Sequence, residues 1–129
     1  MRYVMIVSQV IVALGLLNVW LVRRNKSTPY RGGAATNMRE EFAAYGLPAW
    51  FEVFVGALKI GIAIALLAGI WMPVVVGPAA GLLCVLMLGA LTMHMRVGDP
   101  ASRYVPALSM LLLAVVLVYG SLNHWSATA

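Results

Sequence analysis

Four long apolar runs, about 3–22, 48–71, 74–95 and 103–122, alternate with shorter polar segments along the chain. As helices, runs of this length each cross a hydrocarbon core, which needs about 20 residues. Arg23-Arg24 halts the first run as a membrane anchor requires, so a retained span is expected rather than a cleaved signal peptide. Met72-Pro73 marks a tight turn, with Pro73 suited to the first helical position of the third run. Arg96-Val97-Gly98-Asp99-Pro100 reads as a polar turn before the fourth. The pattern predicts an all-α fold, an integral membrane four-helix bundle forming one domain over residues 1–129.

The connection between the first two runs carries its own signals. Asn37 can cap a helix, Glu40 follows three residues later, and Gly46 with Pro48 closes it. Met38, Phe42 and Tyr45 share one face, which predicts a short interfacial helix lying on the membrane. The stretch 27–36, with Gly32-Gly33, is expected to be a mobile linker. Gly61, Ala65 and Gly69, then Gly77 and Gly81, recur at four-residue spacing, which suits close helix approach in lipid, within the bundle or against another subunit.

The few polar residues inside the runs are the candidate chemistry. Trp50 and Trp71 bracket the second run, and tryptophan favours the membrane interface. Lys59 therefore falls near the midplane, where a charge costs at least about 2.5–3.5 kcal/mol and needs a protein-facing environment. Glu52 lies seven residues earlier on the same helical face. Antiparallel pairing puts His94 level with Glu52, Tyr104 near the same depth, Asn18 and Ser109 slightly deeper, and Lys59 deeper still. Glu52 and His94 are the expected direct pair. With Lys59 they are expected to face one partly hydrated cavity open toward the cytoplasmic end. The pocket candidates are thus Glu52, Lys59, His94, Asn18, Tyr104 and Ser109. The plainer readings are headgroup contact for Glu52, an interface anchor for His94 and a register-fixing buried pair for Lys59.

Composition narrows the field. Only 10% of the 129 residues are charged, against about 25% in soluble domains. The net charge of +5 is clustered: Arg23, Arg24, Lys26, Arg31 and Arg39 share one connection. Placed after a span, such a cluster is a topology signal with anionic-lipid contact rather than a nucleic-acid patch, and no nucleic-acid partner is expected. With Arg96 and Arg103 it puts connections 23–47 and 96–102 in the cytoplasm of a cell that inserts the protein in its inner (plasma) membrane. A single cysteine, Cys84, rules out a CxxC redox pair. His94 and His124 cannot supply the paired ligands of a dihaem bundle, and no metal-ligand cluster is visible.

From Asn37 onward the chain resembles the DoxX-like family of small four-helix membrane proteins. The carriers are Glu41-Phe42-Ala43-Ala44-Tyr45-Gly46-Leu47-Pro48, Gly56-Ala57-Leu58-Lys59, Leu67-Ala68-Gly69-Ile70-Trp71-Met72-Pro73, Met87-Leu88-Gly89-Ala90, and Thr92 to Pro100. Each motif is short, and their order and spacing carry the match. Relatives of this kind carry an acidic residue where Lys59 stands. The family's namesake is the small membrane subunit of a thiosulfate:quinone oxidoreductase, and other relatives accompany redox-stress or assembly partners.

The resemblance implies an accessory, quinone-proximal subunit of a membrane redox system rather than a self-sufficient enzyme. It implies no covalent cofactor and a quinone as the candidate ligand. The expected partners are the lipid bilayer and a membrane or redox protein or a second copy of the chain. A small proton-coupled transporter, with Glu52 or Lys59 as the coupling group, and a membrane assembly factor or scaffold are the alternatives.

Overall fold

The computed structural model describes residues 2–25 and 30–128. Its order is α1 (Arg2–Leu17), a π-helical turn (Asn18–Val22), α2 (Met38–Ala44), α3 (Ala49–Ala68), a 3-10 turn (Pro73–Val75), α4 (Val76–Arg96), a second 3-10 turn (Ala101–Tyr104) and α5 (Val105–Thr128). All regular structure among the described residues is helical. Four helical segments, Arg2–Val22, Ala49–Ala68, Pro73–Arg96 and Ala101–Asn123, are long and apolar enough to cross a membrane.

The four spans form a closed ring in which α1 packs on α3 and α5, and α4 on α3 and α5. Each presents an apolar outer face, including Val7, Ile11 and Leu14 on α1, Ile64 on α3, Leu88 on α4 and Leu112 and Val115 on α5. An outer wall of this kind is a liability in water and the natural surface in lipid. We call the end carrying residues 23–25, 30–47 and 97–104 the basic end.

In the half away from that end, small residues let the backbones approach. Ala63, Ala80 and Ala114 are fully buried among Leu66, Leu83 and Leu117. Gln9 of α1 donates from Nε2 to the Leu66 carbonyl of α3 at 2.9 Å. Leu66 is in the last turn, where α3 leaves its carbonyls without intrahelical partners, so the amide satisfies a backbone group that lipid could not. Of the small residues at four-residue spacing, Gly69 and Gly77 face packed neighbours (Val76 and Ser121), while Gly61 and Gly81 face open space.

The connection at the basic end is built rather than slack. Asn37 caps α2 by accepting from the Glu40 amide at 2.9 Å, and Glu40 turns to the Thr36 hydroxyl at 2.7 Å. Gly46, at φ 80°, ends the helix, and the Leu47 amide reaches back to the Phe42 carbonyl at 2.9 Å. The apolar face of α2 does not look into lipid. Met38 and Phe42 pack with Trp20 and Val55, so the short helix covers the end of the bundle. Residues 30–36 are tied down as well: Arg31 is buried, and the Gly33 amide donates to Asp99 at 3.0 Å. That part of the expected linker is therefore an ordered strap, and residues 26–29 lie outside the described residues.

Candidate functional site

Beneath α2 the helices part around a cavity of about 610 Å³. Its walls are apolar side chains of α1, α3, α4 and α5. Its polar groups include Lys59, Glu41, Tyr45, His94, Arg31 and Arg103. Val85, Gly89 and Pro106 line it and are also exposed on the outside of the bundle, so it reaches the lipid-facing surface.

One local feature opens this space. The helix of α1 widens into a π turn, with the Arg23 amide bonding the Asn18 carbonyl at 2.9 Å. An inserted residue rotates everything after it around the axis, and such turns cluster at functional sites. Here the rotation buries Trp20 and brings Arg24 to α3. Gly56 of α3 makes room for the ring, since a Cβ there would stand 2.7 Å from its carbons. Phe42 meets Trp20 edge-on, with ring centroids 6.1 Å apart. The buried Trp20 Nε1 has no hydrogen-bond partner among the described residues.

Lys59 lines the cavity. Its ammonium lies 5.4 Å from the centroid of the Trp20 ring, a cation–π contact. Among the described residues no carboxylate comes within 4.0 Å of it. The acid acting on it through space is Glu41.

Glu52 sits elsewhere. It is fully buried and takes a bidentate pair from Arg24, with Nε and Nη2 each 2.7 Å from a carboxylate oxygen. It borders a shallow outer groove with Asn37 and Arg39, not the cavity. The bond to Glu52 raises the pKa of Arg24 above its ordinary value, although burial opposes this. The expected Glu52–His94 pair and the shared Glu52–Lys59 cavity are therefore corrected. Glu52 is bonded to Arg24 and His94 to Asp99, so the helices turn them toward different neighbours.

His94 is buried and lines the cavity, and its partner is Asp99, Nδ1 to Oδ2 at 2.6 Å. Asp99 also accepts from Arg103 at 2.9 Å and from the Gly33 amide. Burial opposes ionisation of Asp99. The bonds from His94 and Gly33, with the charge of Arg103, hold its carboxyl below the ordinary 3.8 all the same. Tyr104 lies against the His94 ring at 5.4 Å between centroids, and Tyr45 meets it edge-on at 5.8 Å. Tyr45 donates to Glu41 at 2.8 Å, and Glu41 also accepts from Arg31 and from the Gly32 amide, each at 3.1 Å. Burial first, and then the Glu41 charge, push the Tyr45 phenol far above its ordinary value, so it stays a donor.

Of the remaining candidates, Asn18 lines the cavity near the π turn, Tyr104 supports His94 from the side, and Ser109 is exposed on the outer face of α5. Sequence reasoning missed Glu41, Tyr45, Arg31 and Trp20. Glu41 and Tyr45 were visible as an i, i+4 pair on the buried side of a capped helix, which was the available signal.

Ring, covering helix and polar-ended cavity define a small multi-pass membrane protein with an internal cavity. The family model described as the DoxX-like family matches residues 31–117, and the chain belongs to that family. It is 34% identical over 83 residues, 64% of this chain and 73% of the other, to the uncharacterized protein YdgD of Bacillus subtilis (strain 168). No solved structure matches the chain at a significant level.

Proposed function

We propose that this protein is an accessory subunit of a membrane redox system that holds a quinone-type headgroup in the cavity beneath α2. The observation that carries the reading is Lys59: an ammonium in mid-span, facing the cavity, with an aromatic ring but no carboxylate at contact distance. A half-buried cation so placed favours a ligand oxygen as partner. Trp20 Nε1 is a second donor, buried and without a partner among the described residues. Carbonyl oxygens of a quinone suit both donors, and the apolar walls suit its ring and tail. The volume lies within the roughly 300–1,000 Å³ of small-molecule sites. Opening of the cavity toward lipid suits a ligand that arrives through the bilayer.

The lining touches the packed core through Leu16, Met87 and Ala107 but does not extend to Leu66, Leu83, Ala114 or Leu117. That supports binding over a pathway crossing the membrane. The basic end is assigned to the cytoplasm from its excess of arginine. A single cysteine at exposed Arg39, in a Cys84→Ser background, should resist an impermeant reagent in intact cells; labelling there would reverse the orientation.

The binding reading is tested with Trp20 as the sole tryptophan, Trp50, Trp71 and Trp125 being replaced by phenylalanine. A short-chain benzoquinone should quench Trp20 saturably in detergent, and Lys59→Met should weaken binding about tenfold, a loss of about 1.4 kcal/mol. Quenching that rises linearly, and equally in both proteins, would reject the cavity as a quinone site.

A further inference from the structure

Hydrogen-bond accounting at His94 leads one step further and rests on the reading of the cavity as a ligand site. Asp99 accepts from the Gly33 amide and from Arg103 on Oδ1, and these bonds with the neighbouring charge hold its carboxyl below the ordinary 3.8, so the ionised Oδ2 takes the proton of His94 Nδ1 in the 2.6 Å contact. Glu41 accepts from Arg31 and from the Gly32 amide, so it too is a carboxylate, and the one hydroxyl hydrogen of Tyr45 goes to it. Tyr45 thus has no proton to give His94 Nε2, from which its oxygen stands 3.5 Å away. With neutral imidazole, Nε2 presents a bare lone pair among the described residues. With a proton on it, Nε2 becomes a donor toward the Tyr45 oxygen and the ring a cation held by Asp99.

We infer that His94 is a proton acceptor for a hydroxyl-bearing aromatic headgroup in the cavity, and that Lys59 holds the resulting oxyanion. The ligand O–H bond breaks, an N–H bond forms at Nε2, and the bonding pair stays on the ligand oxygen. No electron leaves or enters, so no co-reactant is needed, and the step reverses on release. The new imidazolium is countered by Asp99, while Lys59, which has no carboxylate at contact distance, meets the new negative charge. The charged and titratable neighbours fit this division. Arg31 and Arg103 are occupied by Glu41 and Asp99, and Tyr104 offers the ring its face. The ligand class is then an acidic phenol or quinol rather than a permanently neutral carbonyl compound.

The probe is a 4-nitrophenol carrying a hexyl chain, whose phenolate absorbs in the visible, with its methyl ether as the control. Binding is followed by Trp20 quenching, and ionisation by the phenolate band, in detergent-solubilised full-length protein. The bound phenol should ionise with its midpoint lowered by one unit or more, about a tenfold gain of anion. The methyl ether should bind about tenfold more weakly. His94→Gln should shrink the shift of the midpoint while binding persists, and Lys59→Met should remove most of the shift. A phenol that binds but stays neutral, or that binds no better than its ether, overturns the proton-acceptor role and leaves the cavity reading standing. If neither compound binds, both readings fall. The wild-type comparison of phenol with ether decides the matter even where a variant fails to fold.

Discussion

In the half of the bundle away from the basic loops, α1, α3, α4 and α5 meet through alanine, glycine and leucine, with Gln9 bridging two backbones. At the basic end the same four helices stand apart, held by Trp20, Phe42 and Met38 under α2, and close around a cavity edged with charge. Both halves are apolar outside, so lipid treats them alike. They differ in how each satisfies its interior. The packed half fills space with small side chains, and its buried polar groups, Ser8, Gln9 and Ser121, are uncharged. The open half buries several charges, each of which must find a partner. Arg24 takes Glu52, Arg31 takes Glu41, and Asp99 takes His94 and Arg103. Lys59 faces the cavity with none of these acids at contact distance. Ion pairs in this half hold the helix ends and the covering strap, and so frame the cavity.

Breaking the frame should have the largest effect. Arg24→Met strands the fully buried Glu52 carboxylate and should cost about 3–5 kcal/mol of stability in reversible unfolding from mixed micelles. Adding Glu52→Met should recover much of this. A loss under about 1 kcal/mol would mean that Glu52 reaches water without Arg24.

Truncation of matched leucines should separate the halves directly. Leu83, wholly buried in the packed half, should lose about 2 kcal/mol or more on change to alanine. Leu86, on the cavity wall three residues on, already borders open space and should lose less than about 1 kcal/mol. Equal losses would show that the cavity is filled or collapsed in the membrane.

The smallest effect concerns acid. Asp99 ionises below its ordinary 3.8 when folded. Its contribution to stability is therefore present above that value and is lost as pH falls through the lower folded value. The gap in melting temperature between wild type and Asp99→Asn should narrow as pH falls below 3.8. A gap that stayed constant well below that value would remove the carboxylate from the role assigned to it. The same substitution should leave the packed half, and Gln9 in particular, undisturbed.

Much of the architecture was legible in the residues. Hydropathy is a sum over neighbours in the chain, so four spans could be read directly, and α2 was written in its caps, Asn37 and Gly46. That polar residues of different spans would line one space was legible in part. Lys59, His94 and Asn18 do line one cavity. What the chain alone could not determine was rotation about each helix axis. Glu52 and His94 were expected to pair, but α3 turns Glu52 toward Arg24 after the π turn of α1, and α4 turns His94 toward Asp99. The π turn itself adds a residue to one helical turn, and no simple period announces it. That rotation buried Trp20 and delivered Arg24 to Glu52. Folding α2 back over the bundle then made Glu41, from a segment expected to lie against lipid, the acid of the cavity. Depth comes from counting along one helix, whereas facing is decided only when all the helices pack, because each side chain's direction depends on neighbours far away in the chain.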